Sequence, residues 1–155
     1  MGALKRLCVV GVMFTLAAIA RPALAADPPA DLCSLLAASD VSTILGGTYS
    51  EGPKTVAPAP YANTVTGTDC HYASGGSQLL FRAYADPTAD VATGLFAKLK
   101  MFYSPPTPVA GLGDEAYLDP SHGLHVRKGR VRYFLSGVAD DKKLIGLGLV
   151  VAGKL

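Results

Sequence analysis

The sequence predicts an α+β domain: an antiparallel β-sheet with helices packed on one face as a sandwich, stapled by one disulfide. Three observations carry that reading. Two glycine-bearing turns, Ser74-Gly75-Gly76-Ser77 and Lys128-Gly129, each join runs of alternating apolar and polar residues, the signature of β-hairpins. Residues 89–102 instead repeat their apolar side chains at helical spacing. Finally, once an N-terminal leader is set aside, Cys33 and Cys70 are the two cysteines left.

The leader comes first. Lys5 and Arg6 precede an apolar run over 7–20, and Ala23-Leu24-Ala25 then leads into Ala26-Asp27. Charged, apolar and small-residue parts in that order form a secretory signal peptide. The run is shorter than the roughly 18 residues a spanning helix needs. The expectation is therefore export: residues 1–25 are removed, and 26–155 work as a single soluble domain in the periplasm or the medium. An uncleaved signal acting as a tether is the alternative. A lipid anchor is not expected, because Cys8 lies too early and Cys33 too late to follow a lipidation tripeptide.

Three of the 14 basic residues, Lys5, Arg6 and Arg21, belong to the leader, leaving 11 against 12 acidic side chains. A domain of charge −1 has no electrostatic case for nucleic acid. A chain of this size buries a core without several disulfides. In an oxidising compartment, two cysteines in a small domain usually pair. The loop closed by Cys33 and Cys70 would contribute about 4 kcal/mol in the chain-entropy account.

The elements follow in order. Asp27-Pro28-Pro29 is an extended lead-in. Asp31 caps a short helix to about residue 38, with Leu32, Leu35 and Leu36 on one side. Ser39 or Asp40 caps a second helical turn over 41–45, ended by Gly46-Gly47. Residues 48–55 read as an edge strand broken at Gly52-Pro53, and 56–63 as a proline loop. Strands 68–73 and 78–84 form the first hairpin. Tyr72 then faces Leu79 and Cys70 faces Phe81 on the apolar side, while Asp69 faces Arg82 as a cross-strand ion pair.

Asp86-Pro87-Thr88 opens the helix over 89–102, whose expected buried stripe is Val91, Leu95, Leu99 and Phe102, with Ala92 and Phe96 beside it. Pro105, Pro106 and Pro108 stop it. A short strand over 116–118 precedes the second hairpin. With Lys128-Gly129 as its turn, Leu124 faces Tyr133 and Val126 faces Val131 inside. Outside, His125 faces Arg132 and Arg127 faces Arg130. Asp140-Asp141 caps a helix over 142–155; Gly146, Gly148 and Gly153 weaken it and leave a strand as the alternative. The repeated order of strands then helix hints at a duplicated unit, without side-chain similarity between the halves.

Four stretches carry a resemblance: Cys33-Ser34-Leu35-Leu36 with Leu45-Gly46; Cys70-His71-Tyr72; residues 109–117 around Gly111-Leu112-Gly113-Asp114-Glu115; and 124–129. Their order resembles small exported bacterial domains of unknown function, similar to actinobacterial lipoprotein families with a PsbP/Mog1-like fold. The resemblance implies an antiparallel sheet with packed helices and a paired Cys33–Cys70. It brings no catalytic residues, and the missing lipidation cysteine means membrane attachment does not transfer.

Among chemical constellations, Gly111-Leu112-Gly113 before Asp114-Glu115 reads as a tight turn in which the glycines take positive φ and Asp114 bonds nearby amides. His122 and His125, with Asp114, Glu115 or Asp119, have metal-ligand chemistry, but surface histidines are the expected reading, as for His71. His125, Arg127, Lys128, Arg130 and Arg132 gather on the outer face of the second hairpin. Lys and Arg there discourage edge pairing; the planar fork of Arg also suits a small anion, a lipid headgroup or an acidic envelope partner. G-x-S-x-G, H-E-x-x-H, phosphate-loop and dinucleotide-loop patterns are absent. The expected function is a non-catalytic binding or accessory domain of the cell envelope, with no cofactor and no metal. The alternative is a small metal-dependent or hydrolytic enzyme using His122, His125 and Asp114.

Overall fold

A computed structural model describes residues 27–103 and 105–155; the leader expected over 1–25 lies outside them. Asp31 accepts the Cys33 N–H at 3.0 Å and caps a 3-10 turn, Leu32–Leu35, shorter than the helix expected there. Helix α1, Ala38–Leu45, starts earlier than expected. Asp40 lies inside its first turn and reaches back to accept the Ala37 N–H at 3.2 Å. Gly46 and Gly47, both at positive φ, end it as their type predicts.

Strands β1 (Ser50–Glu51) and β2 (Thr55–Ala57) flank the Gly52-Pro53 break. Strands β3 (Gly67–Ser74) and β4 (Ser77–Ala85) form the first hairpin in the expected register: Asp69 opposite Arg82, Cys70 opposite Phe81, Tyr72 opposite Leu79. Helix α2 is Ala89–Phe102, capped by the Thr88 hydroxyl, which accepts the Val91 N–H at 3.2 Å. Then come β5 (Thr107–Pro108), β6 (Glu115–Leu118), β7 (Leu124–Lys128), β8 (Val131–Ser136) and helix α3, Asp141–Gly153. The Asp140 carboxylate caps α3 by accepting the Lys142 and Lys143 N–H groups, so residues 142–155 are helical rather than extended. All pairings are antiparallel, in the order β1-β3-β4-β8-β7-β6-β5, with β2 sharing β3's outer edge with β1.

The second hairpin departs from its expected register. Lys128 lies opposite Val131, so the turn is Gly129-Arg130, and His125 faces Phe134 while Arg127 faces Arg132. Turn chemistry explains the shift. Gly129 carries positive φ as the first turn residue, the type II′ arrangement; a Lys128-Gly129 turn would ask Lys128 to lead it. A slip of two residues keeps each side chain on its face and changes only its neighbour.

The first face of the sheet is apolar and sealed. Leu36, Val41, Leu144, Leu147 and Val151, from the N-terminal segment, α1 and α3, are fully buried in one cluster with Tyr72, Phe81, Leu124 and Leu135. Cys33 and Cys70 are bonded inside it, their Cα atoms 5.7 Å apart. The Tyr72 hydroxyl donates to the Leu36 carbonyl, and that of Tyr133 to the Gly148 carbonyl at 2.7 Å. A Cβ at Gly148 would come within 2.9 Å of Leu124 and 3.0 Å of Leu112. The glycine that weakens α3 as an isolated helix is what lets it approach β7 this closely.

Helix α2 adds a partial layer on the opposite face. Ala92, Leu95 and Phe96 are its buried residues, whereas Val91 and Phe102 are exposed. The seam is turned from the expected stripe, and it places the Phe96 ring 5.2 Å from that of Tyr117. With α2 and α3 on opposite faces, a twofold axis through the β4–β8 boundary does not relate the two halves.

Candidate functional site

The second face is built around one line of side chains crossing five strands. Asp69, Arg82, Phe134, His125 and Tyr117 stand opposite one another on β3, β4, β8, β7 and β6. Arg82 grips Asp69 with two parallel hydrogen bonds of 2.6 and 2.8 Å, as expected for that pair. Beyond it the line becomes aromatic. The His125 ring stacks on Tyr117 at 4.6 Å between centroids, tilts against Phe134 at 4.6 Å, and meets Tyr103, just past α2, at 4.8 Å.

His125 is buried, not the surface histidine the sequence suggested. Its Nε2 lies 2.9 Å from Asp119 Oδ2, while Asp119 Oδ1 accepts the Ser121 N–H at 2.8 Å and the Gly123 N–H at 2.9 Å. Burial works to raise the Asp119 pKa. Hydrogen bonds from the Gly123 amide, His125 and the Ser121 amide outweigh it and hold the carboxyl below its usual range. Burial pushes the His125 pKa down, against the pull of Asp119. The pair is therefore a carboxylate accepting an N–H from a neutral imidazole. The turn allows nothing bulkier at position 123, where a Cβ would sit 2.5 Å from both Asp119 and Phe134.

Beside this line is a cleft of about 190 Å3, walled by Pro58, Arg82, Leu99, Tyr103, His125 and Phe134. The Tyr84 hydroxyl donates to the Pro58 carbonyl at 3.1 Å and ties the proline loop to the sheet as the cleft's far wall. Behind Tyr84, Arg132 lies 4.8 Å from the ring centroid and makes two hydrogen bonds to Asp86, at 2.5 and 3.0 Å. Both partners of that ion pair are almost completely buried. The Tyr117 hydroxyl is buried without a protein partner among the described residues, and burial raises its pKa.

The five residues of the expected basic patch do not form one surface. His125 and Arg132 lie under the second face, held by Asp119 and Asp86. Arg127 donates to Asp114 at 2.8 Å, and Lys128 donates to the Ala152 carbonyl at 2.5 Å. Arg130 meets the exposed Asp27 at 2.9 Å. Lys128, Gly129, Arg130, Asp114 and Asp27 border a second cavity of about 400 Å3 at the hairpin tip. Gly111 and Gly113 take positive φ, and Asp114 accepts the Gly129 N–H at 2.8 Å, the turn chemistry expected of that segment.

His122, in the turn before β7, pairs with Asp141 at 2.9 Å. His122, His125 and Asp114 are thus held by three different partners, and no group of three or more potential metal ligands gathers among the described residues. Sequence reasoning missed Tyr103 and Asp86. Asp86 had a signal, since it directly follows β4; Tyr103 had none, because its role depends on where α2 lies.

No family profile matches the chain, and no curated protein does. Among solved structures, it is similar to the extracellular domain of PknH from Mycobacterium tuberculosis. The TM-score is 0.55 and the identity 13%, over 82% of this chain and 96% of that one. The two share a fold. No helix among the described residues is long and apolar enough to cross a membrane.

Proposed function

We propose that the protein is an exported, non-catalytic binding module of the cell envelope, with the cleft beside His125 as its ligand site. The observation that carries this is the cleft's composition. It is a concave, mainly apolar and aromatic space with one oriented polar handle, the pattern of small-molecule sites. Export is supported by the leader, by the Cys33–Cys70 bond and by the fold shared with an extracellular domain. The relationship to PsbP/Mog1-like exported domains that the sequence motifs suggest belongs to the same proposal.

A fragment screen read by amide and aromatic NMR shifts tests it. Hits should cluster on Tyr103, His125 and Phe134, and a screen whose hits leave these three unmoved would sink the assignment. The hairpin tip is a second reading, favoured by its larger cavity. An anion or acidic partner there would have to displace Asp27 from Arg130, whose other terminal nitrogen already donates to the Asp86 carbonyl at 3.2 Å. Arg130→Glu should then abolish binding to vesicles of anionic lipid while changing stability by no more than about 0.5 kcal/mol. The metal-dependent alternative predicts a stoichiometric metal that is lost on His122→Ala.

A further inference from the structure

We propose that the cleft selects an uncharged, single-ring aromatic molecule carrying one hydroxyl or N–H donor, a phenol in chemical class, which stacks among Tyr103, Phe134 and His125 and donates to His125 Nδ1. The inference rests on the reading of the cleft as the ligand site and gives that site its chemistry.

Three observations converge on it. The first is charge. Arg82, the cation in the wall, is occupied on two of its nitrogens by Asp69, and Arg132 behind Tyr84 is occupied by Asp86. Asp119, bonded to His125 in the wall, spends both oxygens on His125 and on two backbone amides. The charges of Arg82, Arg132 and Asp119 are thus matched within the protein. An anionic or cationic ligand would lose its hydration without gaining a free counter-charge, a poor exchange at a partly buried site.

The second is size and wall chemistry. A space of about 190 Å3 is smaller than the roughly 300–1,000 Å3 of sites that take drug-sized ligands, and so suits one ring. Its walls present aromatic faces and edges, against which a planar ring packs in offset or tilted contact.

The third is the polar handle. Asp119 is held as a carboxylate, so the shared hydrogen belongs to His125 Nε2. In a neutral imidazole the other nitrogen then carries a lone pair. Nδ1 makes no hydrogen bond to the protein among the described residues, and His125 lines the cleft. An acceptor on a ring that lines an aromatic space calls for a donor on the ligand. A site built around a hydrogen-bonding group rejects the analogue that lacks it, because its own polar atom is left unpaired.

The test is an NMR titration of the protein, with its disulfide intact, against p-cresol, toluene and 4-methylbenzoate. The proposal expects p-cresol to bind saturably, shifting His125, Tyr103 and Phe134, with toluene and 4-methylbenzoate each weaker by about tenfold or more, equivalent to about 1.4 kcal/mol. His125→Phe, which keeps a ring and removes the acceptor, should bring p-cresol down to the level of toluene and leave toluene unchanged. If toluene or 4-methylbenzoate binds the cleft as tightly as p-cresol, the ligand class is wrong and the cleft remains a site. If none of the three moves the cleft residues, the cleft reading fails and this inference goes with it. The three probes on the unaltered protein decide the matter even if the variant does not fold.

Discussion

The two faces of the sheet solve the burial problem in opposite ways. On the first, the N-terminal segment, α1 and α3 cover an unbroken apolar surface, and the main polar atoms inside, the Tyr72 and Tyr133 hydroxyls, bond to backbone carbonyls. On the second, the strands carry three acid–base pairs, Asp69–Arg82, Asp86–Arg132 and Asp119–His125, under the partial cover of α2. Apolar burial is non-directional, so the first face can close completely. Buried charges need specific partners, and the face they occupy is held by a few oriented contacts. A cleft is left where α2 does not reach.

The largest expected effects on the two faces are similar in size and different in origin. Replacing Cys33 and Cys70 by alanine should cost about 4 kcal/mol in urea unfolding, through the freed unfolded chain. Asp86→Ala should cost about 3–5 kcal/mol because Arg132 is left buried and unpaired. Asp86→Leu combined with Arg132→Met should recover most of that loss; a double variant as unstable as the single one would show that the ion pair is not its source.

Two glycines sharpen the contrast at a smaller scale. Gly148→Ala on α3 should cost about 1–3 kcal/mol, since the added methyl enters a filled seam between Leu112 and Leu124. Gly94→Ala on α2 should instead stabilise by about 0.5–1 kcal/mol, because it meets open space in mid-helix. Paired thermal melts read both, and equal signs would contradict the difference in packing between the two helices.

The finest distinction is pH dependence. Folded His125 has its pKa below the ordinary 6.5, so the unfolded chain takes up the proton first. Stability should therefore fall as pH drops through about 6.5 toward the folded value. Asp119, also lowered, contributes stability above 3.8 that is lost as pH falls further through its folded pKa. His125→Phe should flatten the upper part of this window in pH-dependent melts and weaken the lower part, since one of the hydrogen bonds that hold Asp119 down is lost; an unchanged upper slope would assign it to another group.

Much of this was legible in the chain. The first hairpin could be registered from Gly75-Gly76, because two adjacent glycines mark a two-residue turn and alternation then sorts every side chain. Helix α2 was bounded by Thr88 and the following prolines. The second hairpin misled because a single glycine fits two turn positions, and only its conformational role picks the first. The cleft was harder to see. His125 and Arg132 look solvent-facing on an alternating strand, and α2 is what buries that side.

Local chemistry written into the sequence determined the two antiparallel hairpins, helix α2 and the candidate cysteine pair, since turn glycines, caps and apolar spacing act over a few residues, while the state of 142–155 stayed open between helix and strand. Tertiary structure alone decided that α2 crosses to the far face, that His125 is neutral and oriented by Asp119, and that a cleft opens between them. Those outcomes depend on contacts between residues distant along the chain, where burial and pairing are set by what packs above each side chain rather than by its neighbours in sequence.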